Sequence, residues 1–165
     1  MPYDMFVQIG GIPGDSTDAE HKNWIEVESF QHSLAQPKGA SWSAEGSLAA
    51  GRVDHGEFTM QKRFDSASPK LAQYCCTAQH IPQVEFHICR PEGERVVYMK
   101  YIFKDVIVSS LDQVGSGAPD EPTPMEELRL RYGEIHWEYT PTDVAGGKSA
   151  PVRAGWSTVE NRQTA

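Results

Sequence analysis

The amino-acid sequence predicts an all-β fold, because its most apolar stretch alternates with the period of a strand and turn-forming residues divide the rest. Within segment 95–111, the alternating side chains that would share one face of a strand are Val97, Met99, Tyr101 and Phe103. The 11 prolines and 14 glycines lie among short β-branched and aromatic runs, a composition that favours strands and turns over a helical bundle. We therefore expect 95–111 to form a central, mostly buried strand.

Two positions interrupt the alternation and predict bends. After Lys104 the run Val106–Val108 fits no simple alternation, so we expect a bulge or sharp bend near Asp105. In segment 128–139 the apolar side chains change phase at Gly133, as expected where a strand turns its other face inward. Long strands with such bends are typical of the corners of a barrel.

Three further segments have the pattern of strands. Residues 5–9 alternate and stop at a Gly-Gly pair, where unusual backbone angles cost little. Residues 24–34 carry apolar side chains on both faces, which predicts a second long strand with neighbours on each side. Residues 84–89 precede the turn 91–94, so this strand is expected to pair antiparallel with the central one.

One helix is predicted after residue 67. Ser68 is the expected N-cap, and Pro69 at the first helical position loses no hydrogen bond. The side chains spaced as one apolar helical stripe are Leu71, Cys75 and Ala78. The helix is expected to end near Gln79, before an Ile-Pro pair.

The chain length indicates a single domain, residues 1–165. A chain of this size buries roughly 70% of the surface of its unfolded form, so neither a metal nor a disulfide is needed for stability. Residues 38–55 combine glycine, serine and alanine with one tryptophan, the composition of a long loop. Trp42 would be a contact anchor at its tip, or would pack back on the domain. A polar tail is expected from about residue 157.

Charge and cysteine content exclude several classes of function. The net charge of -8 disfavours nucleic acid and anionic membranes, whose binding depends on lysine and arginine. No apolar run is long enough for a membrane span, and residues 1–15 lack the pattern of a signal peptide, so synthesis in the cytoplasm is expected. Three cysteines, two of them adjacent, are a poor disulfide framework, which indicates reduced thiols.

No catalytic, cofactor or metal site is predicted from the residues. The triplet Gly147–Ser149 ends like a phosphate-binding loop, but the required glycine five positions earlier is a threonine. His87 and Cys89 share a strand face and would suit zinc together with Cys75 or Cys76, yet no second ligand pair has a recognisable spacing. Core thiols and a histidine at the rim are the favoured interpretation.

Several segments together resemble one family. The chain is similar to the Hcp (haemolysin-coregulated protein) family through motifs that run in the right order along nearly its whole length. They are FVQIGGIPG (6–14), DSTDAEHKNWIEV (15–27), the Gln-Pro pair at 36–37, FDSASPKL (64–71), KDVIVSS (104–110), PMEELRL (124–130), EYTPTD (138–143) and AGW (154–156). The family pattern often has an aromatic residue in place of Leu111 and a phenylalanine in place of Tyr132, and neither change threatens the fold.

The resemblance implies a fold and a role. Hcp proteins are tube subunits of the type VI secretion system, similar in fold to phage tail-tube proteins: a two-sheet β-barrel with one α-helix at its side. Their homohexameric rings stack into a hollow tube that a contractile sheath propels, tipped by a trimeric spike protein. The resemblance therefore implies cytoplasmic assembly, secretion without a signal peptide, and carriage of small effector proteins in the lumen.

The resemblance and the sequence pattern together indicate contact residues. In this family the long loop reaches the adjacent ring, so we expect that role for residues 38–55. The candidate loop contacts are Lys38, Trp42, Glu45 and Arg52. A closed ring needs two different patches that meet at every junction, and unpaired edge strands suit it. The candidate ring contacts, from strands apolar on two faces, are Phe6, Ile135 and Trp137.

Two other functions stay open at this stage. A monomeric barrel could hold a small apolar ligand in its interior. A zinc hydrolase could use His87 and a cysteine. The long loop and the strands with apolar side chains on both faces favour the tube subunit, because a monomer has no partner for an outer apolar face.

Overall fold

The structure is a computed structural model that describes residues 3–37, 51–91, 96–121, 123–141 and 149–164. Alternating side chains form strands through most of these ranges, as predicted. The strands are β1 (Asp4–Ile9), β2 (Ile25–Val27), β3 (Ser29–Gln31), β4 (Leu34–Ala35), β5 (Asp54–His55), β6 (Phe58–Arg63), β7 (Ile81–Arg90), β8 (Val96–Val114), β9 (Met125–Tyr139), β10 (Val152–Ser157) and β11 (Arg162–Thr164). The helix is α1 (Ser68–Thr77), between β6 and β7.

The central strand β8 is 19 residues long and pairs antiparallel with β7 and β9, which confirms its predicted position. Asp105 has a φ of 55°, so the strand is distorted where the alternation failed. Gly133 lies opposite this distortion: a side-chain carbon there would come within 3.1 Å of Asp105 Cβ. Both strands change phase at this point, which keeps Phe103 and Val106 in the same core.

Within the described residues, nine strands form one sheet and β4 and β5 form a second, two-stranded sheet. The main sheet runs β11-β10-β9-β8-β7-β1-β2, and β6 joins β9 to β3. The predicted strand 24–34 is divided, because β2 pairs with β1 whereas β3 pairs with β6. Glu28 separates β2 from β3 and its N–H donates to the Gln61 carbonyl at 2.8 Å. The predicted all-β class is confirmed, but the sheet is not closed as a barrel.

Aromatic side chains from β3, β6, β7 and β8 form one cluster in the hydrophobic core. Phe58 is fully buried, and its ring centroid lies 5.0 Å from that of Phe86 and 4.8 Å from that of Phe103. Phe30 and Tyr101 extend the cluster, with ring centroids 5.9 Å apart. Rings at these distances gain from edge-to-face and offset contacts in addition to their burial.

The predicted helix is present, but its N-cap is not Ser68. Ala67 holds the cap position without a side-chain hydrogen bond, and Pro69 lies in the first turn as expected. The Ser68 hydroxyl instead donates to Glu126 at 2.9 Å. The buried Glu126 carboxylate therefore accepts the hydrogen bond of the hydroxyl that the sequence pattern assigned to the helix cap. The helix ends at Thr77, and Ala78 follows it in the left-handed conformation with a φ of 50°.

A buried ion pair joins β6, β9 and the start of α1. Lys62 and Glu126 face each other across the two strands, with Lys62 Nζ 2.6 Å from Glu126 Oε2. Both side chains are inaccessible to solvent. Asp65 Oδ1 lies 3.0 Å from the same ammonium group, and Gln113 donates to the second Glu126 oxygen at 2.7 Å. The pair is thus fully surrounded by hydrogen-bonding groups, as a buried charge requires.

In the described part of the chain, the one helix is far too short to cross a membrane.

Candidate functional site

The predicted ring contact Ile135 does not lie on the surface. It is 0% exposed and belongs to the hydrophobic core, opposite Phe103 on β8. The phase change at Gly133 turns this side chain inward. Ile135 therefore cannot contact a neighbouring molecule in this fold, and the expectation for it is corrected.

Phe6 is also covered, although it points away from the core. Its ring stacks on that of His21 with centroids 4.5 Å apart, and only 4% of the residue is exposed. Segment 13–24 lies over this outer face of β1 and β7. The apolar second face that predicted an interface at Phe6 is thus covered by the chain itself.

Trp137 is half-buried and borders a surface cavity of about 310 Å³. Strands β7 to β10 line this cavity with Gln83, Ile102, Lys104, His136, Glu138, Arg153 and Ala154. Charged groups at its edge are paired: Arg153 donates to Glu138 at 3.0 Å, and His136 Nε2 lies 2.9 Å from Glu134. The hydrogen bond from His136 lowers the pKa of Glu134. Trp137 is the predicted ring contact that a neighbour could reach.

An exposed apolar pair adjoins this region. Tyr139 at the end of β9 lies opposite Val152 at the start of β10, and they are 40% and 64% exposed. Tyr98 contacts Tyr139 edge to face, with centroids 6.4 Å apart, and the Arg90 guanidinium lies 4.8 Å above the Tyr98 ring. In addition, β11 pairs only with β10 among the described strands. An apolar patch and an open sheet edge thus occur in the same three-strand unit.

Most of the predicted loop contacts fall outside the described residues: Lys38, Trp42 and Glu45. Arg52 is described, and its guanidinium donates to the Thr158 carbonyl at 2.5 Å. Arg52 also lines a cavity of about 260 Å³ together with His55 and Trp156. The end of the long loop is therefore attached to the C-terminal segment beyond β10.

A second exposed face, on β3, β6 and β9, is polar throughout. Ser29 donates to Gln61 at 3.3 Å, and Arg129 donates to Glu127 at 2.6 Å. Arg131 donates to Glu57 at 2.8 Å. The hydrogen bond from Arg129 lowers the pKa of Glu127. The charged side chains named on this face are thus paired with each other.

The residues considered for zinc are not arranged as a metal site. In the described ranges, no group of three or more histidine, cysteine or acidic side chains is close enough to hold one ion. His87 is buried rather than at a rim, and its partner is His21. Burial, followed by the charges of His21 and Lys100, lowers the pKa of His87 to about 3. Burial raises the pKa of the Cys89 thiol to about 11, which disfavours the thiolate that binds zinc.

Sequence reasoning missed two histidine clusters, each of which joins distant parts of the chain. His21 meets His87 across 66 positions. The Tyr132 hydroxyl lies 2.6 Å from His32 Nε2 and 3.0 Å from His55 Nδ1, and burial raises the pKa of Tyr132 and lowers that of both histidines. Pairing register brings these groups together, so no local motif could have indicated them.

The relationship to known proteins is clear along the whole chain. Residues 6–139 match the family described as Type VI secretion system effector, Hcp. The sequence is 32% identical to protein hcp1 of Pseudomonas aeruginosa over 165 residues, which covers 99% of each chain. The chain belongs to the Hcp family. The resemblance noted from the motifs of the sequence is thereby confirmed.

Solved structures agree with membership of the Hcp family. A structure described as a type six secretion system protein superposes with a TM-score of 0.92 at 30% identity, covering 98% of this chain and 99% of that one. Hcp1 from Salmonella typhimurium has a TM-score of 0.80 at 30% identity, covering 99% of this chain and 100% of its own. The open, mainly β fold with one helix in the described residues is thus the Hcp fold.

Proposed function

We propose that this Hcp protein is a structural subunit of the type VI secretion tube. Six copies form a ring, rings stack into a hollow tube, a contractile sheath propels the tube, and a trimeric spike protein tips it. The tube and its subunits leave the cell without a signal peptide, and the lumen holds small effector proteins. The full-length match to Hcp proteins is the observation that carries this proposal.

The whole chain, residues 1–165, acts in this proposal as one domain. The positions of the first and last strands support a single domain, because β1 lies inside the main sheet and β11 forms an edge of the same sheet. Residues 38–55 serve as the ring-stacking loop, with Lys38, Trp42, Glu45 and Arg52 as its contacts. The polar tail expected from about residue 157 includes β11.

The ring contact is proposed on the exposed parts of β9, β10 and β11. Trp137 borders a cavity there, Tyr139 and Val152 expose apolar surface, and β11 has an open edge. A ring junction joins two different patches, so this surface would meet another part of the next copy. Phe6 and Ile135 are left out because the chain itself covers them.

A small-ligand-binding role has less support. The rings of Phe58, Phe86 and Phe103 occupy the interior where a closed barrel would hold a ligand. A structural role needs no catalytic group, and the paired charges described above suit it. The zinc hydrolase likewise lacks a ligand set in the described residues.

Charge substitution at the proposed contact tests the assignment. Val152→Asp should reduce the fraction of hexamer strongly at micromolar concentration while the melting temperature of the subunit stays within a few degrees, because Val152 is mostly exposed. Val114→Asp is the matched control, since Val114 is 70% exposed at the C-terminal end of β8. Val152 lies near the other end of β8, because its partner Tyr139 pairs with Met99. Native mass spectrometry gives both fractions. Intact hexamers of Val152→Asp, or loss of hexamer only in the control, would remove this surface from the ring contact.

A further inference from the structure

A buried histidine pair fastens segment 13–24 to the outer face of the sheet. His21 Nε2 lies 2.9 Å from His87 Nδ1 on β7. The two residues are only 2% and 7% exposed. Trp24 packs against both rings, with centroids 4.8 Å and 4.6 Å away. Water is thus excluded from the single hydrogen bond that joins the two imidazoles.

The neighbouring acceptor determines where the protons sit. Asp18 Oδ1 lies 2.9 Å from His21 Nδ1 and also accepts the His21 backbone N–H at 3.1 Å. A carboxylate accepts, so His21 Nδ1 carries the proton and His21 Nε2 is an acceptor. His87 Nδ1 must then donate to it. His87 Nε2 is left without a proton and has no hydrogen-bond partner.

Each element packed around the pair contributes a neighbouring side chain, and most of these are charged. Segment 13–24 contributes Asp18 and Glu20, β7 contributes Glu85, β8 contributes Lys100, and β1 contributes the uncharged Phe6. Glu85 Oε2 lies 3.3 Å from His87 Nε2, and Lys100 is the cross-strand neighbour of His87. The pKa of His21 is lowered mainly by burial, and that of His87 is lowered by burial and then by His21 and Lys100.

The pair can bind one additional proton without losing its hydrogen bond. That proton would bind to His87 Nε2, which faces Glu85. A second one would have to occupy His21 Nε2, where it would point at the His87 Nδ1–H across 2.9 Å. Two imidazolium groups in a site without water would also repel each other. Full protonation of the pair therefore requires its separation.

We propose that the His21–His87 pair is an acid-released latch, which holds segment 13–24 against β1 and β7 at neutral pH and lets it detach on acidification. Detachment uncovers Phe6, which His21 now covers. Release is confined to the latch end of the segment. At the other end Asp15 accepts hydrogen bonds from the backbone N–H and the hydroxyl of Ser66. These bonds lower the pKa of Asp15, so that anchor keeps its charge in mild acid.

Hydrogen exchange of the assembled wild-type protein tests the latch directly. Protection factors, corrected for the intrinsic effect of pH, are compared at pH 7.5 and pH 4.5 for peptides covering 16–24 and 125–139. We expect protection in 16–24 to fall at least tenfold more than in 125–139. An equal change in both regions, or no change, would overturn the proposal without any variant.

Two variants identify the histidine responsible. His87→Asn keeps a donor for His21 Nε2 but does not titrate, so the extra loss of protection in 16–24 should shrink severalfold. His80→Asn is the matched control, because His80 Nε2 also lies 3.5 Å from a carboxylate oxygen, that of Asp105, away from the latch end of the segment. The control should respond to acid like the wild type. A His87→Asn protein with the full wild-type response would assign the release to another group and overturn the latch.

Discussion

Replacing Lys62 by methionine should destabilise the subunit more than any conservative core substitution. The Lys62 ammonium lies 2.6 Å from Glu126, 3.0 Å from Asp65 and 2.9 Å from the Arg63 carbonyl. Methionine fills much of the same volume but leaves Glu126 buried without a counter-charge. Breaking a buried pair in this way costs about 3–5 kcal/mol. For a domain of this size that corresponds to a fall in melting temperature of roughly 6–20 °C.

Replacing Glu126 by glutamine should destabilise the subunit less than replacing Lys62 by methionine, and this difference tests the account of the pair. In Glu126→Gln, Lys62 keeps Asp65 as a counter-charge, and the glutamine can still accept from Ser68. We expect a loss of about 1–3 kcal/mol, the cost of a weakened buried hydrogen-bond set. The double variant Lys62→Met with Glu126→Leu removes both charges and should recover most of the loss of Lys62→Met.

Urea unfolding followed by tryptophan fluorescence measures these differences. The midpoint and slope should be compared at one protein concentration and one state of assembly, because association adds apparent stability. A loss below about 1 kcal/mol for Lys62→Met, or a double variant no more stable than Lys62→Met alone, would refute this account of the pair.

Two further predictions concern segment 13–24 on the outer face. Gly14→Ala should lower the free energy of unfolding by about 1–3 kcal/mol, because a Cβ there would lie 2.5 Å from the Trp24 carbonyl oxygen. Gly117→Ala should be neutral, because a Cβ there would have nothing within 4 Å. Equal stability of the two variants in urea would contradict this reasoning. Acid should lower the melting temperature through His87: its pKa is about 3 when folded, so the unfolded chain binds more protons below pH 6.5. About 2 kcal/mol of the free energy of unfolding is lost by pH 5. In scanning calorimetry, the melting temperature of His87→Asn should depend less on pH than that of the wild type. A stronger dependence in His87→Asn would contradict the predicted direction.

Local patterns were sufficient for the central strand and for the two bends. The period of two placed β8 correctly, and the phase changes at Asp105 and Gly133 were both visible in the sequence. Their position opposite each other was not, because it depends on pairing between β8 and β9. The break at Glu28 was missed for the same reason: β2 and β3 look like one strand until their partners are known.

Long-range contacts explain the remaining differences. Ser68 has the local signature of an N-cap, but Glu126, 58 positions away, accepts its hydroxyl hydrogen. Phe6 has an apolar second face, but His21 covers it. In each case the contact depends on the tertiary fold and not on the local sequence. The family, in contrast, was indicated by motifs along the chain, because family membership is a property of the sequence.

The particle mass in solution is the most direct test of the proposed tube subunit. Native mass spectrometry of the wild-type protein, with negative-stain images of the same sample, should show a closed ring of six copies of the 18.4 kDa chain with a central hole. A protein that stays monomeric at high concentration would contradict the proposal.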